Sequence, residues 1–117
     1  MAFDLASFKN SRVYGRKATT SASTADLVIN AIAGPPTLIL AADLDRTYGT
    51  LENLHATDSM KYMYRASGAA IPTIAQILAN GFELLAGVGV DTESPEELYG
   101  LSTTVNPIPV DIDQGRG

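Results

Sequence analysis

Apolar and polar positions alternate with a period of two along much of the chain, which is the pattern of β-strands with one buried face. The clearest alternation comes near the end of the sequence. Its inward set is Ile108, Val110 and Ile112, and its outward set is Pro109, Asp111 and Asp113. Because Pro107 and Pro109 each lack a backbone N–H, we expect this strand at a sheet edge or paired on one side only.

Earlier strand-like segments recur at intervals of roughly ten residues with turn residues between them. They cover residues 37–42, 47–54, 60–66, 82–90 and 98–105. In the third segment Met60, Tyr62 and Tyr64 are predicted to share one face, and Asn80-Gly81 is a turn signal before the fourth. Five or six short strands predict an all-β protein, either a single antiparallel β-sandwich or a small barrel.

Two regions depart from this pattern. Around residues 72–79, the apolar residues of "IPTIAQILANG" have helix-like spacing and predict a short helix or structured loop. The small, polar tract at 17–25 predicts a linker, and residues 26–34 suit either a strand or one short helix. We therefore expect an extended N-terminal arm and linker over residues 1–35 and a sandwich domain over residues 36–117.

Charge is distributed unevenly over these two parts. The 117 residues carry a formal net charge of −5 and include no cysteine, which excludes disulfides and thiolate metal sites. Residues 1–35 have a balance of +2, with Lys9, Arg12, Arg16 and Lys17 as their basic residues, and residues 36–117 have a balance of −7. An acidic body disfavours a nucleic-acid surface, because binding phosphates needs a basic face. A basic arm against an acidic neighbouring subunit or shell protein explains the asymmetry.

The sequence indicates synthesis in the cytoplasm and no role in a membrane. It has no apolar run near 18 residues, the length that a membrane-spanning helix needs. Its first residues lack the basic-then-apolar order of a secretion signal.

Residues with possible chemistry are few, and each also has a structural interpretation. His55 lies in the polar turn "NLHATDS" without a nucleophile motif, so we expect an exposed turn histidine. Asp111 and Asp113 share a strand face and suit calcium, although outward acids also protect strands from aggregation. Four tyrosines suit either a sugar-binding platform or core filling: Tyr48, Tyr62, Tyr64 and Tyr99. We predict no enzyme activity and no cofactor.

Five short motifs follow one another along the strand-like segments. The motifs are "LILAADLDR" from Leu38 to Arg46, "LEN" from Leu51 to Asn53, "FELLAG" from Phe82 to Gly87, "ELYGLST" from Glu97 to Thr103 and "IPVDI" from Ile108 to Ile112. Together they resemble small virion structural proteins of tailed bacteriophages. The resemblance covers the chain from residue 37 onward. It implies a β-sandwich of jelly-roll type, located on the capsid surface of a virion assembled in the host cytoplasm.

The function implied by this resemblance is that of a non-enzymatic decoration or cement subunit. Such a subunit binds the major capsid protein or another shell protein and itself, commonly as a homotrimer. The alternative is a tail or fibre module that recognises a receptor or carbohydrate. In the first case, the arm would contact a shell protein or a neighbouring subunit through Phe3, Leu5, Phe8, Lys9, Arg12, Arg16 and Lys17.

The resemblance also gives the "DLDR" turn a structural role. Arg46 would pair with Asp43, Asp45 or an acid on a neighbouring strand, and so hold the turn between two strands. Asn53 would close the second of these strands by bonding to the backbone that follows it.

Overall fold

The computed structural model describes the backbone of residues 21–92 and 94–116, and the side chains of residues 26–92 and 94–115. Within these ranges the chain forms eight strands and one helix. They are β1 Ser21–Ile29, β2 Thr37–Leu40, β3 Arg46–Asn53, β4 Met60–Arg65, α1 Ile74–Asn80, β5 Phe82–Leu84, β6 Gly89–Thr92, β7 Glu97–Ser102 and β8 Ile108–Arg116.

The strands form two four-stranded antiparallel sheets. The first sheet has the order β1-β8-β3-β6 and the second has the order β2-β7-β4-β5. Except for β4 and β5, strands that follow one another in sequence belong to opposite sheets, so the chain passes repeatedly from one sheet to the other. The protein is therefore an all-β sandwich, as the period-two pattern predicted.

The core lies between the two sheets and is filled by alternate residues from both. Ile108, Val110 and Ile112 of β8 are all buried, which confirms their predicted inward direction. The second sheet contributes Met60 and Tyr62. Between these side chains, Gly100 allows close packing, since a Cβ at this position would lie 2.6 Å from Cδ1 of Ile39.

Helix α1 covers the outer face of the second sheet, and of the two predictions for residues 72–79, a short helix or a structured loop, the helix is the one formed. Its N-terminus has a capping box, in which Thr73 Oγ1 accepts from Gln76 N at 3.1 Å and Gln76 Oε1 accepts from Thr73 N at 2.9 Å. The buried Ile77 packs with Tyr99 and Leu101 of β7. Among the described residues, no helix has the length and hydropathy needed to span a membrane.

Strand β1 corrects the predicted linker. Residues 21–25 were expected to be too small and polar to pack, but they pair with β8, with Ser21 opposite Arg116 and Ala25 opposite Ile112. Backbone hydrogen bonds do not depend on side-chain size, so an adjacent strand can order a small, polar segment. The sandwich therefore includes a strand from within residues 1–35.

The position of β8 corrects a second prediction. This strand lies inside the first sheet, between β1 and β3, although Pro109 suggested an edge or pairing on one side. The carbonyl of Pro109 accepts from Leu54 N at 2.9 Å, and in an antiparallel strand the N and O of one residue point to the same neighbour. The missing N–H thus faces β3 just where β3 ends at Asn53, so it removes no hydrogen bond from the middle of the sheet.

The segment 82–90 is not one strand, as expected, but two. β5 belongs to the second sheet and β6 to the first, and the residues between them carry the chain across the sandwich. Gly87 has a φ of +75°, a backbone conformation that favours glycine. The apolar run hid this turn, because Leu85 and Val88 look like strand residues in the sequence but are exposed in the connection.

Candidate partner-binding site

Strand β3 begins with Arg46, which is 5% exposed and lies where two loops meet strand β8. Its Nη2 donates to the carbonyl of Ala41, and its Nη1 donates to the carbonyl of Ser94 and, at 3.2 Å, to that of Glu96. Its Nε donates to Oε1 of Gln114 at 3.4 Å. One guanidinium thus connects the β2–β3 loop, the β6–β7 loop and strand β8, a task that suits its planar set of five donors.

The charge of Arg46 is stabilised by backbone dipoles and by the charge of Asp43. Burial lowers the pKa of Arg46 below its ordinary value, whereas attraction to Asp43 and Tyr64 opposes the shift. Carbonyl oxygens, which are partially negative, surround the guanidinium. The direct hydrogen bonds of Arg46 therefore go to backbone carbonyls and Gln114, and Asp43 contributes through its electrostatic field.

The "DLDR" segment forms the turn that Arg46 holds. Oδ1 of Asp43 accepts from Asp45 N at 2.9 Å, and the Asp43 carbonyl accepts from Arg46 N at 3.2 Å. This aspartate turn reverses the chain and projects Leu44 outward, where its side chain is 85% exposed. A large apolar residue is thereby presented to solvent at the tip of a braced loop.

An open cleft of about 310 Å³ lies beside this tip. Its walls come from the β2–β3 loop, the start of the β4–α1 loop and the β6–β7 loop. The lining residues are Ala42, Leu44, Arg65, Ala66, Ser67, Gly68, Pro95, Glu96 and Glu97. Four of these nine residues are small, and a volume of about 310 Å³ has room for a side chain or a small group from a partner.

An ion pair forms the polar part of the cleft. Nη1 of Arg65 donates to Oε1 of Glu97 at 2.8 Å, and the Tyr99 hydroxyl donates to the same oxygen at 3.0 Å. These two hydrogen bonds hold the pKa of Glu97 below its usual value, and the one from Arg65 has the larger effect. The hydrogen bond to Glu97 raises the pKa of Arg65. Both side chains are therefore charged and held in place at neutral pH.

Strand β3 ends at the opposite side of the molecule with Asn53, which is fully buried. Its Nδ2 donates to the carbonyls of Asp58 at 2.9 Å and Leu84 at 3.1 Å, and its Oδ1 accepts from His55 N at 2.8 Å. The last of these bonds is of the kind proposed for Asn53 from sequence, and the contact with Leu84 also connects the loop to β5.

Asp58 connects the β3–β4 loop to the β7–β8 loop. Its Oδ2 accepts from Thr104 Oγ1 at 2.8 Å and from Asn106 Nδ2 at 2.9 Å. These bonds, together with one from Thr57, lower the pKa of Asp58. His55 is only partly exposed in this loop, and its Nδ1 accepts from the backbone N–H groups of Thr57 and Asp58. The histidine therefore shapes the turn.

The structure separates several residues that the sequence suggested as groups. Tyr62 lies in the core between the sheets, whereas Tyr99 lies beneath α1 on the outer face of the second sheet. The four tyrosines thus form no single platform. Asp111 and Asp113 do share the outer face of the first sheet, as predicted from their spacing. The seven arm residues proposed as partner contacts, from Phe3 to Lys17, lie outside the described residues.

The cleft itself was missed by the sequence analysis. Arg65 and Glu97 are 32 residues apart and meet only because β4 pairs with β7, where they stand directly opposite each other. Leu44 did carry a signal, since a lone leucine between two aspartates in a turn cannot be a core residue of either adjoining strand. That signal identifies an exposed apolar tip but not the cleft beside it.

The site offers groups for binding. Over the described residues, there is no group of three or more His, Cys, Asp or Glu side chains placed to hold a metal ion. The cleft supplies apolar contact, two fixed charges and the Ser67 hydroxyl. No protein-family model matches this chain, and no curated protein matches it either.

Proposed function

We propose that this protein is a non-enzymatic virion structural subunit that decorates or cements a bacteriophage shell as a homo-oligomer, in the first instance a homotrimer. The cleft end of the sandwich is the surface that binds the major capsid protein or another shell protein. Binding there stabilises the shell by connecting neighbouring shell subunits, with no chemical step and no cofactor.

The observation that carries this proposal is the exposed Leu44 beside a braced cleft. An apolar side chain that is 85% exposed costs free energy in water unless a partner covers it. Arg46 and the Arg65–Glu97 pair hold the surrounding loops, so little ordering entropy is lost when a partner binds. The binding energy of protein interfaces is concentrated in a few side chains that the partner covers completely.

The order of the strands also supports the proposal. The strand orders β1-β8-β3-β6 and β2-β7-β4-β5 are compatible with an eight-stranded jelly roll, a fold used by viral capsid domains. This supports the resemblance of the motifs from Leu38 to Ile112 to small phage virion proteins. Fold alone does not define function, so the binding surface must be tested directly.

The test uses virions of the phage that encodes this chain, prepared with the gene disrupted. Purified full-length protein is mixed with these particles, and the bound fraction is measured by sedimentation. We expect the wild type to sediment with the particles and Leu44→Asp to bind at least about tenfold more weakly, since a charge replaces an interface anchor. The matched control is Val105→Asp, because Val105 is 78% exposed at the opposite end.

Equal binding by wild type and Leu44→Asp would contradict the assignment of the cleft end. Absence of wild-type binding would contradict the decoration role as a whole. Binding of a free saccharide that is lost in Arg65→Ala, without any binding to particles, would favour the tail or fibre module instead.

A further inference from the structure

The outer face of the first sheet contains a row of carboxylates that crosses three strands. Asp26 of β1 stands opposite Asp111 of β8, and Asp111 stands opposite Glu52 of β3. The alternate residues Leu27, Leu51 and Ile112 pack toward the core, so these acids point away from it. Like charges directly opposite one another destabilise a sheet, and a cationic partner removes that repulsion.

An apolar row runs beside the acidic row, toward the end of the sandwich where Asn53 lies. Val28 of β1 stands opposite Pro109 of β8, and the Pro109 carbonyl accepts from Leu54 N. Val28 is 58% exposed and Leu54 is 49% exposed. The outer face thus combines exposed apolar side chains with a band of negative charge, which is the surface expected for a partner that is apolar at one end and basic at the other.

Residues 1–17 of this chain have that composition. Three large apolar residues, Phe3, Leu5 and Phe8, come first, and the basic residues follow with Val13 and Tyr14 among them: Lys9, Arg12, Arg16 and Lys17. Extended, these 17 residues are about 55 Å long, whereas a nine-residue strand is about 30 Å long. A segment running antiparallel to β1 along this face meets the apolar row first and the acidic row next. Its aromatic residues, which come first in sequence, would therefore lie on the apolar row, and its basic residues on the acidic row.

The connection to β1 favours a face on another copy over the face of the same chain. Residues 18–20 are Ala-Thr-Thr, followed directly by β1 at Ser21. This connection contains none of Gly, Pro, Asn or Asp, the residues that commonly reverse the chain, and threonine favours extended backbone. The sequence of this connection therefore offers no turn that would return residues 1–17 to the face of their own sandwich, and a second copy is the better partner.

We propose that residues 1–17 of one copy lie across the outer face of the first sheet of a second copy, with the basic residues against Asp26, Asp111 and Glu52 and the aromatic residues against Val28 and Leu54. Repeated around a symmetry axis, this head-to-tail contact closes a ring. The inference rests on the homo-oligomer of the proposed function, and it identifies the surface that forms it.

The experiment measures solution mass by light scattering for the full chain and three full-length variants. The arm variant is Lys9→Glu/Arg12→Glu/Arg16→Glu/Lys17→Glu, and the face variant is Asp26→Lys/Glu52→Lys/Asp111→Lys. The third combines all seven changes. We expect an oligomer for the wild type, monomers for the arm and face variants, and a restored oligomer when both charges are reversed together. Wild-type assembly should weaken as salt rises.

A neutral face variant, Asp26→Asn/Glu52→Gln/Asp111→Asn, separates assembly from folding. It should dissociate about tenfold more readily than the wild type, while the unfolding temperature of its monomer stays unchanged or rises because repulsion between the acids is removed. Assembly that survives both the arm and the face reversals would overturn the proposal, and so would a wild type that is monomeric at every concentration.

Failure of this inference is distinguishable from failure of the proposed function. Particle binding depends on Leu44 at the cleft end, whereas assembly depends on the outer face of the first sheet. Monomeric protein that still binds particles, with the same sensitivity to Leu44→Asp, would refute only the arm contact.

Discussion

The two ends of strand β3 solve the same packing problem with different chemistry. Each end places a buried polar residue where loops must be joined, Arg46 at the start and Asn53 at the finish. Arg46 brings a charge and reaches carbonyls in two loops and a side chain on β8. Asn53 is neutral and short, and it binds the loop that directly follows it and the end of β5.

The comparison shows which kind of loop connection each of the two side chains can make. An asparagine can satisfy nearby backbone groups because its side chain has the reach of about one peptide group. At the start of β3, the carbonyls of Ala41 and Ser94 belong to two different loops, and a long side chain with several donors reaches both of them. The charged end is also the end with the open cleft and the exposed Leu44.

Removing Arg46 is expected to have the largest effect on stability. Arg46→Ala removes the donors to three partly buried carbonyls and leaves a void in place of a buried side chain, which should cost about 2–4 kcal/mol of unfolding free energy. For a domain of this size, that lowers the Tm by about 10 °C or more, measurable by thermal circular dichroism. The Tm of Arg46→Lys should lie between those of the wild type and Arg46→Ala, because lysine keeps the charge but lacks the planar set of donors.

Arg46→Met serves as the control for packing, because it keeps an unbranched side chain and removes every donor. If Arg46→Met is as stable as the wild type, the hydrogen bonds to the loops are not what holds this end together. Equal loss in Arg46→Met and Arg46→Ala would show that the bonds matter more than the volume.

Removing Asn53 is expected to have the second-largest effect. Asn53→Ala loses two donors and one acceptor in a site with no solvent exposure, so it should cost about 1–3 kcal/mol. Asn53→Asp keeps the acceptor but places a carboxylate against the Asp58 and Leu84 carbonyls, and should be less stable than Asn53→Ala at neutral pH. Denaturant titration of both variants tests this order, and the reverse order would mean that Asn53 acts through its oxygen alone.

Asp58 makes the stability of the end of the sandwich near Asn53 depend on pH. Its folded pKa lies below its unfolded value, so its stabilising contribution is complete above the unfolded pKa and is lost as the pH falls through the folded pKa. We therefore expect Asp58→Asn to lower the Tm near neutrality and the gap to the wild type to narrow below about pH 4. A constant gap across the acid range would exclude this linkage.

The smallest effect is expected at the cleft, from the Arg65–Glu97 pair. Both side chains remain partly exposed, so Glu97→Gln should lower the Tm by a few degrees at most. High salt should reduce the difference from the wild type. A loss as large as that of Arg46→Ala would show that this pair, and not Arg46, holds the loops of the cleft end.

The sequence by itself determined the local features of this protein. Alternation identified the inward faces of β4 and β8, because a strand directs successive side chains to opposite sides whatever its neighbours are. The spacing of Ile74, Ile77 and Leu78 indicated a helix near residues 72–79. The polar residues Arg46 and Asn53 were singled out because each stands at the boundary between a strand and a turn.

Only the tertiary structure decided which strands meet. The prolines in the sequence of β8 indicated an edge strand, but β8 lies between β1 and β3. Pro109 is tolerated there because β3 ends beside it. Residues 21–25 gave no strand signal, because a neighbouring strand and not their own side chains orders them. The cleft likewise depends on the pairing of β4 with β7. Strand pairing joins residues far apart in sequence, so local patterns define the faces of strands but not their partners.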